Sequence, residues 1–134
     1  MHELTIKTDR RTQLLDITSQ VRDAVAGATG AAVLVYVPHT TAGLTINEHA
    51  DPAVARDFEA ALVRIAPEDW SWQHIEEGEE NAPSHIRAAL MGPQVVIPLR
   101  DGEPALGTWQ GIYLFEHRAV PHRRSVLLHL IGEP

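Results

Sequence analysis

A run of polar side chains follows the segment that the sequence predicts to be the most buried strand. These side chains suit base or phosphate-binding chemistry, and they are His39, Thr40, Thr41, Asn47 and Glu48. A histidine in such a place can serve as a general base or as a metal ligand. Hydroxyl groups and the backbone around Gly43 can donate hydrogen bonds to phosphate oxygens. An ordinary turn with capping residues has the same composition, so both interpretations of His39 stay open at this point.

A second segment, between His74 and His85, combines imidazole and carboxylate groups. Such side chains together suit Zn²⁺, Mn²⁺ or Fe²⁺, and carboxylates alone suit Mg²⁺. The spacing matches no standard zinc motif, and a run of charges is also typical of a solvated surface. His85 lies just inside a predicted helix, where a neutral metal ligand would donate its second N–H to a carboxylate.

Two further features carry side chains that suit ligand binding. Trp109 lies between two glycines at a predicted strand boundary, where its indole can stack on a flat heteroaromatic ring. A tryptophan buried in the core is the alternative that composition favours. Arg124, next to Arg123, can bind phosphate through its bidentate guanidinium fork. The alternative is that the two arginines lie on an exposed edge strand.

Composition and charge exclude several classes of protein. The 134 residues predict a single domain, residues 1–134, that is large enough to bury a core. Cysteine is absent, which excludes disulfides, thiolate nucleophiles and cysteine-based metal sites. The net charge of −7 is concentrated between residues 68 and 80, so no basic nucleic-acid-binding face is expected. No apolar run is long enough to span a membrane and no signal peptide is evident, so we expect a cytoplasmic protein.

The elements that must position these residues follow from hydrophobic periodicity and turn signals. The pattern predicts strands over residues 3–8, 13–17, 31–37, 43–46, 95–97, 111–116 and 125–131. It predicts one helix capped by Thr18, a second with Asp51 as N-cap and Pro52 in its first turn, and a third over residues 83–91. The nearly continuous apolar run at residues 31–37 predicts a strand that is buried on both faces. This order, with a hairpin turn at Asp101 and Gly102, predicts an α+β fold built on an antiparallel sheet or sandwich.

Three motifs resemble the signature of the secondary thiamine-phosphate synthase family, the YjbQ-like proteins. They are residues 39–48 followed by 50–52, residues 84–92, and residues 101–102 followed by 106–113. They occur in the family's order, and the chain has the family's usual length. The resemblance implies an antiparallel β-sandwich core with two or three helices packed on it, and assembly into a homotrimer.

The resemblance also implies an activity and a site. The activity joins a hydroxymethylpyrimidine diphosphate to a thiazole phosphate and releases diphosphate. A divalent metal ion, zinc or magnesium, would be held by His39, His74 and His85. The stretch from His74 to Asn81 is longer and more acidic than the family's motif, so it is open whether Glu76, Glu77 or Asn81 matches the family's residues.

We therefore expect one site with two sets of residues. The catalytic residues are expected to be His39, Asn47, Glu48 and His85. The residues that bind the phosphorylated small-molecule substrate are expected to be Thr40, Thr41, Gly43, Asn81, Trp109, Gln110 and Arg124.

Two functions of other classes fit the same residues. One is a metal-dependent hydrolase of a phosphorylated small molecule, with Glu48 or Glu77 as base. The other is a trimeric protein that binds a ligand or a metal ion without catalysis.

Overall fold

The computed structural model describes residues 2–8, 13–74, 81–118 and 122–132. Within these ranges the chain forms eight strands and three helices. The order is the predicted one, and the strand that adds to the seven predicted, Glu103–Pro104, is the second strand of the hairpin predicted at Asp101 and Gly102. The strands are β1 (His2–Lys7), β2 (Gln13–Asp16), β3 (Ala32–Tyr36), β4 (Ala42–Glu48), β5 (Gln94–Arg100), β6 (Glu103–Pro104), β7 (Gln110–Glu116) and β8 (Arg123–Ile131). The helices are α1 (Thr18–Ala24), α2 (Pro52–Ile65) and α3 (Asn81–Met91).

The strands form two antiparallel sheets. One has the strand order β1-β8-β3-β5-β6, and the other has the order β2-β7-β4. Hydrophobic side chains from both sheets meet in a common core, to which α1 contributes Val21 and Val25. The predicted α+β fold with an antiparallel sandwich core and helices packed on it is therefore confirmed.

The central strand of the smaller sheet, β7, is buried on both faces. Ile112 and Leu114 point into the core between the sheets, whereas Tyr113 and Phe115 pack with Leu62 of α2. The expectation that the 31–37 strand has two buried faces was wrong. In β3, Val33 and Val35 are buried, but the alternate positions are half-buried or exposed because no helix of the described chain makes its main contacts there.

Local signals place the helix ends. Asp51 caps α2 by accepting a hydrogen bond from the backbone N–H of Ala53, and Pro52 occupies the first turn, as predicted. Thr18 is not the N-cap of α1, because Ile17 holds that position and Asp16 accepts hydrogen bonds from Thr18. The third helix begins at residue 81, two residues before the predicted start. None of the helices described is both long enough and apolar enough to cross a membrane.

Candidate functional site

A pocket of about 540 Å³ lies where the chain leaves β3 and turns into β4. Its lining consists of residues 36–41 together with Pro93 and Arg124. Pro38 cannot continue the hydrogen-bond ladder of β3, so the polar residues after it leave the sheet instead of joining it. The volume is in the range of sites for small molecules. We call this space the His39 pocket.

Beneath the pocket lies a buried ion pair that joins the two sheets. Arg124 of β8 donates from Nε to Glu116 Oε2 at 2.7 Å and from Nη2 to Glu116 Oε1 at 2.5 Å. Glu116, at the end of β7, also accepts from the Thr8 hydroxyl at 2.8 Å and from the backbone N–H of Arg118 at 3.0 Å. Burial alone would raise the pKa of Glu116, but these hydrogen bonds hold that pKa below its ordinary value.

The ion pair fixes one of the predicted phosphate donors. Arg124 Nη2 also donates to the hydroxyl of Thr41 at 2.8 Å and to the Thr41 carbonyl at 3.3 Å. Thr41 therefore accepts a charged hydrogen bond, and its own O–H is left to donate elsewhere. The alternative that Arg124 lies on an exposed edge strand was wrong, because β8 runs between β1 and β3 and the Arg124 side chain is buried.

His39 is held as a neutral ring. Its Nε2 accepts a hydrogen bond from the backbone N–H of Ser125 at 2.9 Å. Partial burial and the nearby positive charge of Arg124 lower the pKa of His39. A neutral ring whose Nε2 accepts carries its proton on Nδ1, so His39 is a hydrogen-bond donor on the pocket wall.

His85 has the same tautomer as His39, but Nδ1 rather than Nε2 is the ring nitrogen that contacts the backbone. Its Nδ1 lies 3.1 Å from the carbonyl oxygen of Thr40, an acceptor, so Nδ1 carries the proton and Nε2 holds the lone pair in the neutral ring. The ring packs edge-on against His74, with 5.2 Å between ring centroids. His39, Thr40 and His85 line a second cavity of about 290 Å³, so the two cavities share His39 and Thr40.

The three histidines of the predicted metal site differ in their contacts. His74 and His85 are neighbours, and His85 has the tautomer of a metal ligand whose second N–H is bonded to an oxygen. The lone pair of His39 Nε2 is used by Ser125. Among the described residues, no group of three or more histidine, aspartate or glutamate side chains is placed to hold a metal ion. Glu76 and Glu77 lie outside the described residues, and so does the side chain of Asn81.

The remaining predicted site residues lie at the other end of β4. That strand begins at Ala42 and ends at Glu48, six residue steps that span roughly 20 Å in an extended chain. Asn47 accepts a hydrogen bond from the backbone N–H of Glu48, and Gln110 accepts one from that of Gly107. Trp109 is 63% exposed, so the favoured alternative of a core tryptophan was wrong. The structure thus places the predicted residues in two groups.

Gly43 has a packing role that its predicted place in a phosphate loop did not suggest. A Cβ atom at this position would lie 2.8 Å from the Cβ of Met91 and 3.1 Å from the carbonyl of Gly92. The close approach allows α3 to lie on β4 and brings His85 to the pocket.

Sequence reasoning missed Glu116, Ser125 and His117. Glu116 carried one usable signal, because a carboxylate that ends a strongly apolar strand needs a buried cationic partner. His117, directly after it, is completely buried. Ser125 acts through its backbone N–H, which no residue type reveals.

Comparisons with known proteins place the fold and the motifs in one family. The family model for UPF0047, YjbQ-like proteins matches residues 2–133. A UPF0047 protein of Methanocaldococcus jannaschii is 43% identical over 131 residues, which cover 96% of this chain and 91% of that protein. The UPF0047 protein YugU of Bacillus subtilis is 38% identical over 133 residues, covering 96% of this chain and 97% of YugU.

Solved structures agree with this match. A crystal structure described as an uncharacterized conserved YjbQ/UPF0047 protein from Clostridium acetobutylicum superimposes with a TM-score of 0.89 at 41% identity, covering 98% of this chain and 100% of that one. A YbjQ-like protein of unknown function from Sulfolobus solfataricus superimposes with a TM-score of 0.90 at 30% identity, covering 98% of this chain and 96% of that one. Since both sequence and fold match along nearly the whole chain, the protein belongs to the YjbQ-like UPF0047 family.

Proposed function

We propose that this protein is an enzyme that acts on a phosphorylated small molecule in the His39 pocket. The observation that carries the proposal is the grouping of Thr40, Thr41 and the Nδ1–H of His39 around one cavity of about 540 Å³. These groups supply hydrogen-bond donors of the kind that bind phosphate oxygens. Arg124 adds positive charge at the wall, although Glu116 neutralises much of it.

The reaction that we propose is the formation of thiamine phosphate, as the resemblance of the motifs implies. The bond between the methylene carbon of the pyrimidine and the diphosphate oxygen breaks, and the electron pair leaves with diphosphate. The thiazole nitrogen then supplies the electron pair of the new carbon–nitrogen bond. No general base is needed, so the protein contributes positioning and stabilisation of the charge on the leaving group.

The side chains of the pocket divide this work. The Nδ1–H of His39 would donate to a diphosphate oxygen, since Ser125 already holds Nε2 and fixes the ring. Arg124 orients Thr41, whose hydroxyl would donate to a second oxygen. Preorganised donors of this kind stabilise developing negative charge without reorganising during the reaction.

The test is an assay of thiamine phosphate formation from the two phosphorylated substrates, with isothermal titration of the pyrimidine diphosphate alongside. His39→Ala should reduce kcat/KM about 100-fold, the effect of losing one donor to a charged leaving group. His2→Ala is the matched control, because His2 is exposed on β1 and lines neither cavity next to His39. Equal turnover of the His39→Ala and His2→Ala proteins would contradict the proposal.

A divalent ion near His74 and His85 is a separate proposal. It is supported by the contact between the two rings and by the resemblance of the motifs. Such an ion would supply further positive charge to the leaving diphosphate. Metal analysis of the protein equilibrated with zinc or magnesium should show binding that His85→Ala loses, and unchanged binding in that variant would contradict it.

Self-association is proposed as the quaternary arrangement, with a homotrimer as the expected form. It is supported by an apolar surface on the five-stranded sheet, facing away from the core. Five side chains of that surface, here called the outer face, are half-buried or exposed: Leu34, Tyr36, Val96, Leu127 and Ile131.

A further inference from the structure

An aspartate and a histidine meet at the end of β4 that lies away from the His39 pocket. Asp16 is the last residue of β2, and His49 directly follows β4. Nδ1 of His49 lies 3.1 Å from Oδ2 of Asp16. The side chain of His49 is 32% exposed and that of Asp16 is 41% exposed, so both can be reached by a small molecule.

The carboxylate of this pair is held in place. Oδ1 of Asp16 accepts the backbone N–H of Thr18 at 2.9 Å and also the Thr18 hydroxyl. Partial burial would raise the pKa of Asp16, but the hydrogen bonds from Thr18 and His49 hold that pKa below its ordinary value. Asp16 is therefore an anion at neutral pH, and it accepts the Nδ1–H of His49. In the neutral form of the ring, Nε2 carries the lone pair.

A glycine on the strand between them makes the contact possible. Since β7 lies between β2 and β4, Asp16 and His49 must reach each other across it. A Cβ atom at Gly111 would lie 2.7 Å from Cβ, Cγ and Nδ1 of His49. The imidazole thus occupies the space that any other residue at position 111 would fill.

The surroundings are negatively charged and contain an exposed aromatic ring. Burial and the negative charges of Asp16 and Glu48 raise the pKa of Tyr113, whose hydroxyl donates to the Glu48 carbonyl at 3.2 Å. The backbone N–H of His49 donates to the carbonyl of Trp109 at 3.0 Å, which makes these residues direct neighbours. An exposed indole in a negative field attracts organic cations rather than phosphates.

We propose that Asp16, His49 and Trp109 form a second binding site, distinct from the His39 pocket, for a small organic ammonium ion. The ammonium group donates a hydrogen bond to Nε2 of His49. The hydrocarbon or aromatic part of the ligand lies on the indole of Trp109. This site does not depend on the function proposed for the His39 pocket.

The first experiment is an NMR titration of the protein with benzylammonium as the probe. The resonances of the His49 ring and of the Trp109 indole N–H should shift, whereas benzoate at the same concentration should leave them in place. Absence of a shift up to about 10 mM, beyond the range of a specific weak site, would overturn the proposal. An equal response to benzoate would overturn it as well.

Variants test the role of the carboxylate. Asp16→Asn should weaken benzylammonium binding about tenfold, because one charge-assisted hydrogen bond to His49 is lost. Asp23→Asn, on the exposed surface of α1, is the matched control and should bind as the unmodified protein does. Equal affinity of the two variants would contradict the role of Asp16.

A measurement of the tautomer needs no ligand and no substitution. Long-range ¹H–¹⁵N correlation should show the proton of neutral His49 on Nδ1. A proton on Nε2 would remove the acceptor that the site requires, and it would overturn the proposal even if all variants fold.

Discussion

His117 is the side chain whose environment departs most from that of a histidine in water. It is completely buried, stacks on Phe115 with 4.3 Å between ring centroids, and has no hydrogen-bond partner for either ring nitrogen among the described residues. Burial and the positive charges of Arg87 and Arg124 lower its pKa to about 3. His117 is therefore an uncharged, unpaired polar ring in the core, and such a ring destabilises the folded state.

At the scale of this residue, we predict a pH-dependent stability that His117→Phe removes. Between pH 6.5 and pH 3, the unfolded chain binds a proton at His117 and the folded chain does not. This proton uptake does not affect the free energy of unfolding above pH 6.5, and it lowers that free energy by about 1.4 kcal/mol per pH unit as the pH decreases through this window. Urea unfolding at pH 7 and at pH 5 measures this change in the free energy of unfolding.

The phenylalanine variant also gives an expectation at pH 7. Removal of the unpaired ring nitrogens at nearly constant shape should leave the free energy of unfolding unchanged or raise it by about 1 kcal/mol. The variant should lose less stability than the unmodified protein between pH 7 and pH 5. Parallel losses would show that His117 does not titrate as described.

At the scale of elements, the contact between α3 and β4 decides where His85 stands. The hydroxyl of Ser84 donates to the His117 carbonyl at 3.0 Å, which ties the start of α3 to the end of β7. The guanidinium of the buried Arg87 donates to the carbonyl of Ala66 from Nε at 3.1 Å and from Nη2 at 2.7 Å, which ties α3 to the end of α2. Gly43 allows the close approach in between.

Substitution of Gly43 tests this packing. Gly43→Ala should lower the free energy of unfolding by about 1–3 kcal/mol, because the new Cβ would lie 2.8 Å from the Cβ of Met91 and the helix must shift. Gly30→Ala is the matched control, since its Cβ would meet its nearest atoms at 3.6 Å, an ordinary contact. Guanidinium unfolding of both variants measures the difference, and equal stabilities would contradict a tight α3–β4 contact.

At the scale of the whole molecule, the two sheets differ in what covers them. The main contacts of the three helices are with β2, β4 and β7, the strands of the smaller sheet. The outer face of the larger sheet carries apolar side chains, among them Tyr36 and Val96, that are exposed to solvent in the single chain. Contiguous apolar surface of this kind is typical of an interface between subunits.

The proposed homotrimer predicts that a charge on the outer face separates the subunits. Val96→Asp should change the sedimentation coefficient from that of a trimer to that of a monomer, because burial of an unpaired carboxylate is costly. Val63→Asp, which places the same charge on an exposed position of α2, should leave the trimer intact. A trimer that persists in the Val96→Asp protein would exclude the outer face as the interface.

Much of this protein follows from local sequence. The element order was predictable because capping at Asp51, the turn at Asp101 and the apolar alternation of the strands act over a few residues. His39 and His85 were also predicted as site residues, from polar residue types at the ends of hydrophobic segments, and both line one cavity. Residue type could not predict that Ser125 would hold His39, because those residues lie 86 positions apart in the chain.

The sequence by itself determined the fold class, through short-range patterns, and the family, through motifs that cover the chain. Only the tertiary structure decided which polar residues meet. The extended β4 spans roughly 20 Å from Ala42 to Glu48, so it places His39 and Glu48 near opposite ends of one strand, although nine positions in the sequence suggested one site. Pairing of distant strands buried Arg124 on Glu116 and joined Asp16 to His49, because a sheet brings together residues that no local pattern connects.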